Sequence, residues 1–208
     1  TLSVDDAQVL VTVRPRDGAE ALIYFGGNAE DVSRNLPGFA RAFPDHALYL
    51  MHYRGYGGSS GSPSEEAIQR DALALFDQVY ATHRHIAVVG RSLGSGVAVR
   101  LASQRPAARL VLITPYNSLA ELGARLYPMF PVKWLLKDNF DSWKYAARIT
   151  VPTLLIAAEH DEVIPRSSTE QLYRHFADGV ATIRVIPGVG HNSISESPDY
   201  LKLLNSGL

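Results

Sequence analysis

The 208 residues carry 20 Lys and Arg against 21 Asp and Glu, a net charge of -1, with 46% hydrophobic residues, 16 Gly and 12 Pro. This is the composition of one globular domain, and its balanced charge leaves no electrostatic footprint for nucleic acid or an anionic membrane surface. With no cysteine, disulfides, thiolate metal sites and cysteine nucleophiles are excluded together, so any nucleophile is an oxygen or a nitrogen. No apolar run reaches the ~18 residues a bilayer span requires and no signal peptide opens the chain, which makes a cytoplasmic location the expectation. The chain starts at Thr1 and not at Met, so a leader or anchor ahead of it is compatible with the sequence.

Short apolar runs rich in β-branched residues alternate with longer segments of helical period, the pattern of a mostly parallel sheet with helices on both faces, in the α/β class. Strands are expected at 9–13, 21–25, 47–53, 85–89, 110–113, 153–157 and 181–186. Asp17-Gly18, between the first two, is a turn composition that joins antiparallel neighbours, so the sheet is expected to open with a hairpin. Ser62-Pro63-Ser64-Glu65 reads as a helix start, with Ser62 capping, Pro63 in the first turn and Glu65 completing a capping box. Ile68, Ala72, Leu75, Phe76 and Val79 then mark one buried stripe. A helix from about 94 to 103 stops before Pro106, Ser167 with Glu170 repeats the start signature before Leu172 and Phe176, and a last helix runs from about 198 to 204. The stretch 116–143 breaks the rhythm with its Leu, Tyr, Phe, Trp and Pro, and reads as a cap inserted at about 117–147 in a single domain covering 1–208.

The pentapeptide Gly90-Arg91-Ser92-Leu93-Gly94 fits G-x-S-x-G, in which a serine sits on a strained strand-to-helix turn and its hydroxyl projects above the sheet. Gly57-Gly58-Ser59-Ser60-Gly61 fits as well, but only the first match has a strand directly before it and a small-residue helix directly after, so the second reads as a loop. Serine at its ordinary pKa is a poor nucleophile and needs an adjacent base. Of the histidines after Ser92, His175 falls inside a predicted helix and His160 in a loop, whereas His191 lies in the glycine-rich loop Pro187-Gly188-Val189-Gly190-His191-Asn192 that leaves the last strand. Such a loop can return an imidazole over the carboxyl edge of the sheet. The orienting acid belongs on a loop between Ser92 and His191; Asp161 fits, and Glu159, Glu162, Asp138 and Asp141 compete with it. Gly26-Gly27-Asn28-Ala29, after the second strand, offers an uncrowded backbone for an oxyanion hole built from the N–H groups of Asn28 and Leu93.

Gly-Gly-Asn-Ala at 26–29, Tyr53-Arg54-Gly55-Tyr56-Gly57, Gly-Arg-Ser-Leu-Gly at 90–94, Thr114-Pro115-Tyr116-Asn117-Ser118, His160-Asp161-x-x-Ile164-Pro165 and Gly190-His191-Asn192 stand in one order along the chain. Together they resemble the BEM46-like (ABHD13/ABHD17-type) branch of the α/β-hydrolases, over about 22–204. The resemblance implies the α/β-hydrolase fold, an esterase, thioesterase or related acyl hydrolase, and a triad of Ser92, Asp161 and His191, with Asp161 chosen over its neighbours by the family pattern. Gly26 departs from that pattern, since the group commonly has histidine there, and this puts the hydrogen bonding of the oxyanion loop in question. The short N-terminal stretch also lacks one of the usual leading strands.

On this reading the partner is a small-molecule acyl substrate and the reaction requires no cofactor and no metal. The apolar cap suggests an acyl or aromatic pocket drawing on Leu126, Met129 and Phe130, with Tyr56, Arg91 and Tyr116 also lining it; the same apolar residues equally suit a cover for the core or a dimer contact. Arg54 and Arg91 could alternatively serve structural ion pairs. Two other readings are an aminopeptidase-like serine peptidase on the same triad and a catalytically silent binding protein on the same scaffold. A metal-dependent hydrolase using His83 and His85 lacks an evident third ligand.

Overall fold

In the computed structural model, residues 1–126 and 137–207 are described, Leu126 by its backbone. Met129 and Phe130 therefore lie outside the described residues, as does the side chain of Leu126. The central strand β4 (Glu20–Phe25) runs parallel between β5 (Ala47–Met51) and β6 (His85–Arg91), with Phe25 opposite both Met51 and Gly90. β7 (Arg109–Ile113), β8 (Thr153–Ala158) and β9 (Ala181–Ile186) extend the parallel sheet beyond β6, and β3 (Val11–Arg14) closes the opposite edge antiparallel to β5.

The central strands read as continuous apolar runs because alternate side chains enter two different cores. On one face Ala21, Ile23, Phe25, Val88, Leu110 and Leu112 pack with the stripe Ile68, Ala72, Leu75, Phe76 and Val79 of α2 (Glu65–Tyr80) and with Val97 and Leu101 of α3 (Leu93–Ala102). On the other, Leu22, Tyr24, Val89, Val111 and Ile156 pack with Phe39 of α1 (Leu36–Ala42) and with Tyr200 and Leu204 of a C-terminal helix, Tyr200–Ser206. Helices thus cover both faces, as expected for this class.

The expected opening hairpin is not where Asp17-Gly18 suggested. The segment expected as one strand is split at Leu10, whose N–H donates to Ser59 Oγ at 2.8 Å. Its first part, β2 (Ala7–Val9), pairs with β1 (Leu2–Val4) around a turn holding Asp5 at φ 51°, a conformation Asp tolerates. β3 pairs with β5, so the segment around Asp17-Gly18 is a connection to β4 across the intervening strand. The cap of α2 is Ser64 and not Ser62: Ser64 is extended and accepts from Ala67 N–H at 3.2 Å. Glu65 closes no capping box; its carboxylate accepts the N–H groups of Asn139 and Phe140 at 3.0 and 2.9 Å. The helix Arg166–Tyr173, by contrast, starts without a side-chain cap, and is fixed to the segment after β7: Ser168 Oγ accepts from Asn117 N–H, and the Thr169 hydroxyl donates to Pro115 O.

Two further helices, Leu119–Leu126 and Trp143–Ala146, flank residues 127–136, and the two sides of that segment meet where Leu119 N–H donates to Asn139 O at 3.0 Å. No helix among the described residues is long and apolar enough to cross a membrane.

Candidate active site

Four chain segments converge at the carboxyl edge of the parallel strands, where open α/β sheets place their ligands. β6 leads through Ser92 into α3, the loop after β4 supplies 26–30, the turn after β8 supplies Asp161, and the loop after β9 supplies His191.

Ser92 has φ 50° and ψ -119°, a backbone conformation that costs a non-glycine residue about 1–3 kcal/mol and persists only where its surroundings impose it. Its N–H donates to Ile113 O at 2.9 Å, and its carbonyl accepts both the N–H and the hydroxyl of Ser95 at 2.9 and 2.6 Å. The flanking glycines permit the sharp crossing. A Cβ on Gly94 would overlap the carbonyls of Phe25 and Gly26, and one on Gly90 would overlap the Gly94 carbonyl oxygen. Ser59, from the competing G-x-S-x-G match, is buried with its hydroxyl donating to His52 O at 2.9 Å, a loop-holding role.

His191 Nε2 lies 3.0 Å from Ser92 Oγ, and its Nδ1 lies 2.9 and 3.1 Å from the two carboxylate oxygens of Asp161. The histidine and aspartate side chains are only 8% and 4% exposed, so little water competes for these contacts. Asp161 is itself fixed by Val163 and Ile164, whose N–H groups donate to Oδ1 at 3.0 and 2.7 Å. A carboxylate accepts only, so Nδ1 carries the proton and Nε2 is left as the acceptor facing the hydroxyl.

The rival acids are engaged elsewhere. Glu159 accepts Gly188 N–H and Glu162 accepts His191 N–H, at 2.8 and 3.2 Å. Asp138 accepts Glu65 N–H, and Asp141 accepts the Ser118 hydroxyl. His160 is exposed, His175 packs beside Trp143, His83 spans Gly18 O and the Tyr49 hydroxyl, and His85 pairs with Glu20.

A cavity of about 360 Å³ opens beside Ser92, between Gly27, Asn28, Arg91, Val163 and His191. Leu93 is the first residue of α3, so its N–H has no intrahelical acceptor. Neither this N–H nor that of Asn28 donates to a protein acceptor among the described residues. Asn28 is the second residue of a turn closed by Glu30 N–H to Gly27 O at 3.3 Å, with Ala29 left-handed at φ 57°. In such a turn the N–H of the second residue is not used.

Gly26 is closely packed: a Cβ there would come within 2.5 Å of Val32 Cγ1, so a larger residue would need the Val32 side chain to shift. The hydrogen bonding questioned at this position is supplied by two side chains the sequence reading did not assign to the loop. The Tyr53 hydroxyl donates to Gly26 O at 2.8 Å, and the Glu30 carboxylate accepts Gly27 N–H at 2.6 Å. Burial, followed by the nearby Glu30 charge, pushes the Tyr53 phenol well above its usual range, so it remains a neutral donor. The one sequence signal for Glu30 is a carboxylate three residues past a glycine amide, within local reach of it.

Of the expected pocket residues, Arg91 borders the cavity, Tyr56 is 43% exposed in the turn after β5 and does not border it, and Tyr116 is fully buried. Tyr116 is a packing residue: its hydroxyl donates to Leu93 O at 3.2 Å beneath α3, and burial first of all pushes its phenol well up. Arg54 faces the core, where it makes a two-pronged pair with the fully buried Asp71 at 2.7 and 2.8 Å.

A family model described as "alpha/beta hydrolase fold" matches residues 21–142, and one described as "Serine aminopeptidase, S33" matches 132–198. The uncharacterized protein Rv2307c of Mycobacterium tuberculosis is 43% identical over 180 residues, covering 83% of this chain; the chain spans 63% of that relative's length. Protein bem46 of Schizosaccharomyces pombe is 24% identical over 214 residues, which cover 96% of this chain and 70% of the relative. Among solved structures, MGS-M2, an alpha/beta hydrolase enzyme from a Medee basin deep-sea metagenome library, superposes with a TM-score of 0.77 at 17% identity, over 98% of this chain and 94% of that one.

Proposed function

The chain belongs to the alpha/beta hydrolase fold family, and on that premise we propose that it is a serine hydrolase, cleaving an ester, thioester or related acyl bond of a small molecule through an acyl-enzyme on Ser92. The observation that carries this reading is the unbroken run of contacts from Ser92 Oγ to His191 Nε2 at 3.0 Å and from His191 Nδ1 to Asp161 at 2.9 Å.

In the proposed cycle His191 takes the Ser92 proton as Oγ attacks the acyl carbon, and the resulting oxyanion is held by the N–H groups of Asn28 and Leu93. His191 then hands its proton to the leaving alcohol or thiol. Water, activated by the same imidazole, attacks the acyl-enzyme and releases the acid with Ser92 restored. Asp161 stays ionised throughout, keeping the proton on Nδ1 and stabilising the imidazolium. Arg91 borders the acyl site. The cycle needs neither a metal nor a cofactor.

The test is a panel of 4-nitrophenyl esters of increasing chain length, acyl thioesters and aminoacyl amides, on the purified protein and on Ser92→Ala. Turnover of esters or thioesters that is lost in Ser92→Ala supports the proposal. Turnover confined to the amides favours the peptidase reading, which the aminopeptidase model over 132–198 makes a specific alternative. No turnover of any member contradicts both and leaves a binding protein.

A further inference from the structure

The site holds a second, partly buried carboxylate that takes no part in proton transfer. Glu30 has a side chain only 14% exposed, and its two oxygens are fully committed. Oε1 accepts the Tyr24 hydroxyl at 2.8 Å and the Asn35 amide at 2.7 Å. Oε2 accepts Gly27 N–H at 2.6 Å and faces Arg91 Nη1 at 3.5 Å. Arg91 extends this connection, since its Nη2 donates to the backbone carbonyl of His191 at 3.3 Å. One carboxylate and one guanidinium therefore link the loop bearing Asn28 to the loop bearing the histidine.

We propose that Glu30 is the positioning residue of the oxyanion loop, holding the Asn28 N–H on the oxyanion and coupling that loop through Arg91 to His191. The proposal rests on the serine hydrolase reading above. Its physical basis is that an oxyanion donor is useful only when already aimed, because a loop that must reorganise during the reaction gives back the stabilisation it offers. Gly27 N–H is the amide immediately before that of Asn28, and fixing it to Oε2, with Glu30 N–H closing the turn on Gly27 O, leaves the next N–H turned outward. Tyr24 serves as a lasting donor, because burial, then the charges around it, pushes its phenol well above the usual range.

Glu30→Gln preserves shape but removes the charge facing Arg91 and puts a donor amide in place of one acceptor oxygen: turned toward Oε2 it confronts Gly27 N–H and Arg91, and turned toward Oε1 it confronts the Asn35 amide, where only the Tyr24 hydroxyl can rotate to accept. Tyr24→Phe removes a single donor from a core position and keeps the ring. Both variants and wild type are assayed with 4-nitrophenyl butyrate and with an alkyl trifluoromethyl ketone, which forms an oxyanion when serine adds to it. For Glu30→Gln the expected result is a kcat lower by about 10- to 100-fold with KM within about twofold, and inhibitor affinity weakened in parallel with kcat/KM. Tyr24→Phe is expected to show the same pattern at about threefold, whether or not Glu30→Gln folds. A natively melting Glu30→Gln with wild-type kcat and inhibitor affinity overturns the inference and leaves the hydrolase reading standing, as does a Tyr24→Phe that loses stability alone. A wild-type protein that neither turns over the ester nor binds the ketone overturns the hydrolase reading itself, and the inference with it.

Discussion

Replacing Asp161 by Asn isolates its electrical role, because the side chain keeps its shape. The outcome follows from which oxygen becomes the amide nitrogen. Oδ1 is held by two backbone donors, Val163 and Ile164 N–H, at 3.0 and 2.7 Å, and will remain the oxygen. The nitrogen then takes the place of Oδ2, 2.9 Å from His191 Nδ1, and presents a donor where a donor already stands. One relief is for Nδ1 to give up its proton to Nε2, which points an N–H at Ser92 Oγ and removes the base; the other leaves the Nδ1 proton only the longer contact to Oδ1, at 3.1 Å and shared with two backbone donors. The expected loss in kcat is about 10⁴-fold, a barrier increase of about 5.4 kcal/mol, with the melting temperature close to that of wild type. Glu162→Gln, which alters only an acceptor of His191 N–H, should cost less than about fivefold. Ester hydrolysis by the three proteins, each checked by thermal melting, decides the matter. Asp161→Asn retaining more than a tenth of wild-type kcat would refute the assignment of the acid.

Three further substitutions probe the frame around the site. Asp71→Ala takes from the buried Arg54 guanidinium its two-pronged partner and leaves it Val4 O at 3.3 Å and the longer contacts to Asp5 and Asp6 at 3.7 and 3.5 Å, so the cost falls at the low end for breaking a buried pair, about 3 kcal/mol or about 6–12 °C in melting temperature for a chain of this size, with turnover per folded molecule unchanged; a shift under about 2 °C would contradict a structural role for the pair. Gly94→Ala drives a methyl group into the backbone carbonyls of Phe25 and Gly26, which cannot move aside, so we expect a loss of more than about 3 kcal/mol by thermal melting or no folded protein, and a wild-type melting curve would deny the close crossing. Burial pushes the His52 imidazole below its ordinary value, only partly offset by Asp31, so the unfolded chain binds its proton first and stability is lost as pH falls below about 6.5. His52→Gln should flatten the decline in melting temperature between pH 7.5 and 5.5, and identical slopes would exclude His52 as a source of that decline.

The sheet was legible because both its faces are covered. Runs such as Ala21 to Phe25 and His85 to Val89 are apolar throughout only when alternate residues enter separate cores, and that periodicity survives in the sequence. Pairing was less legible. Asp17-Gly18 has the composition of a hairpin turn, but whether β3 lies beside β4 or one strand further on is decided by long-range packing, to which local turn chemistry is blind. Helix starts failed for a related reason. Ser62 and Ser64 are equally suited to cap, and the choice fell to Ser64 because Glu65 was claimed by the N–H groups of Asn139 and Phe140, some 74 positions away.

At the site, the serine, the histidine and the acid could each be narrowed from motif and position, because G-x-S-x-G needs its flanking strand and helix and because a base must return to the same edge. Glu30 could not. Its partners Tyr24, Gly27 and Asn35 lie within six positions of it, but nothing local tells which of them its two oxygens take, and Arg91, at the end of β6, is brought to it only by the fold. Tyr116 misled in the opposite sense, since an aromatic beside a cap looks like pocket lining until its hydroxyl is found beneath α3.

The most direct test of the central claim is the site of covalent reaction with a fluorophosphonate, read by peptide mass mapping of the labelled protein. The account predicts a single phosphonyl adduct on Ser92, formed at a rate that collapses in His191→Ala and absent in Ser92→Ala. An adduct elsewhere, or an unlabelled Ser92 in the folded wild-type protein, would contradict it.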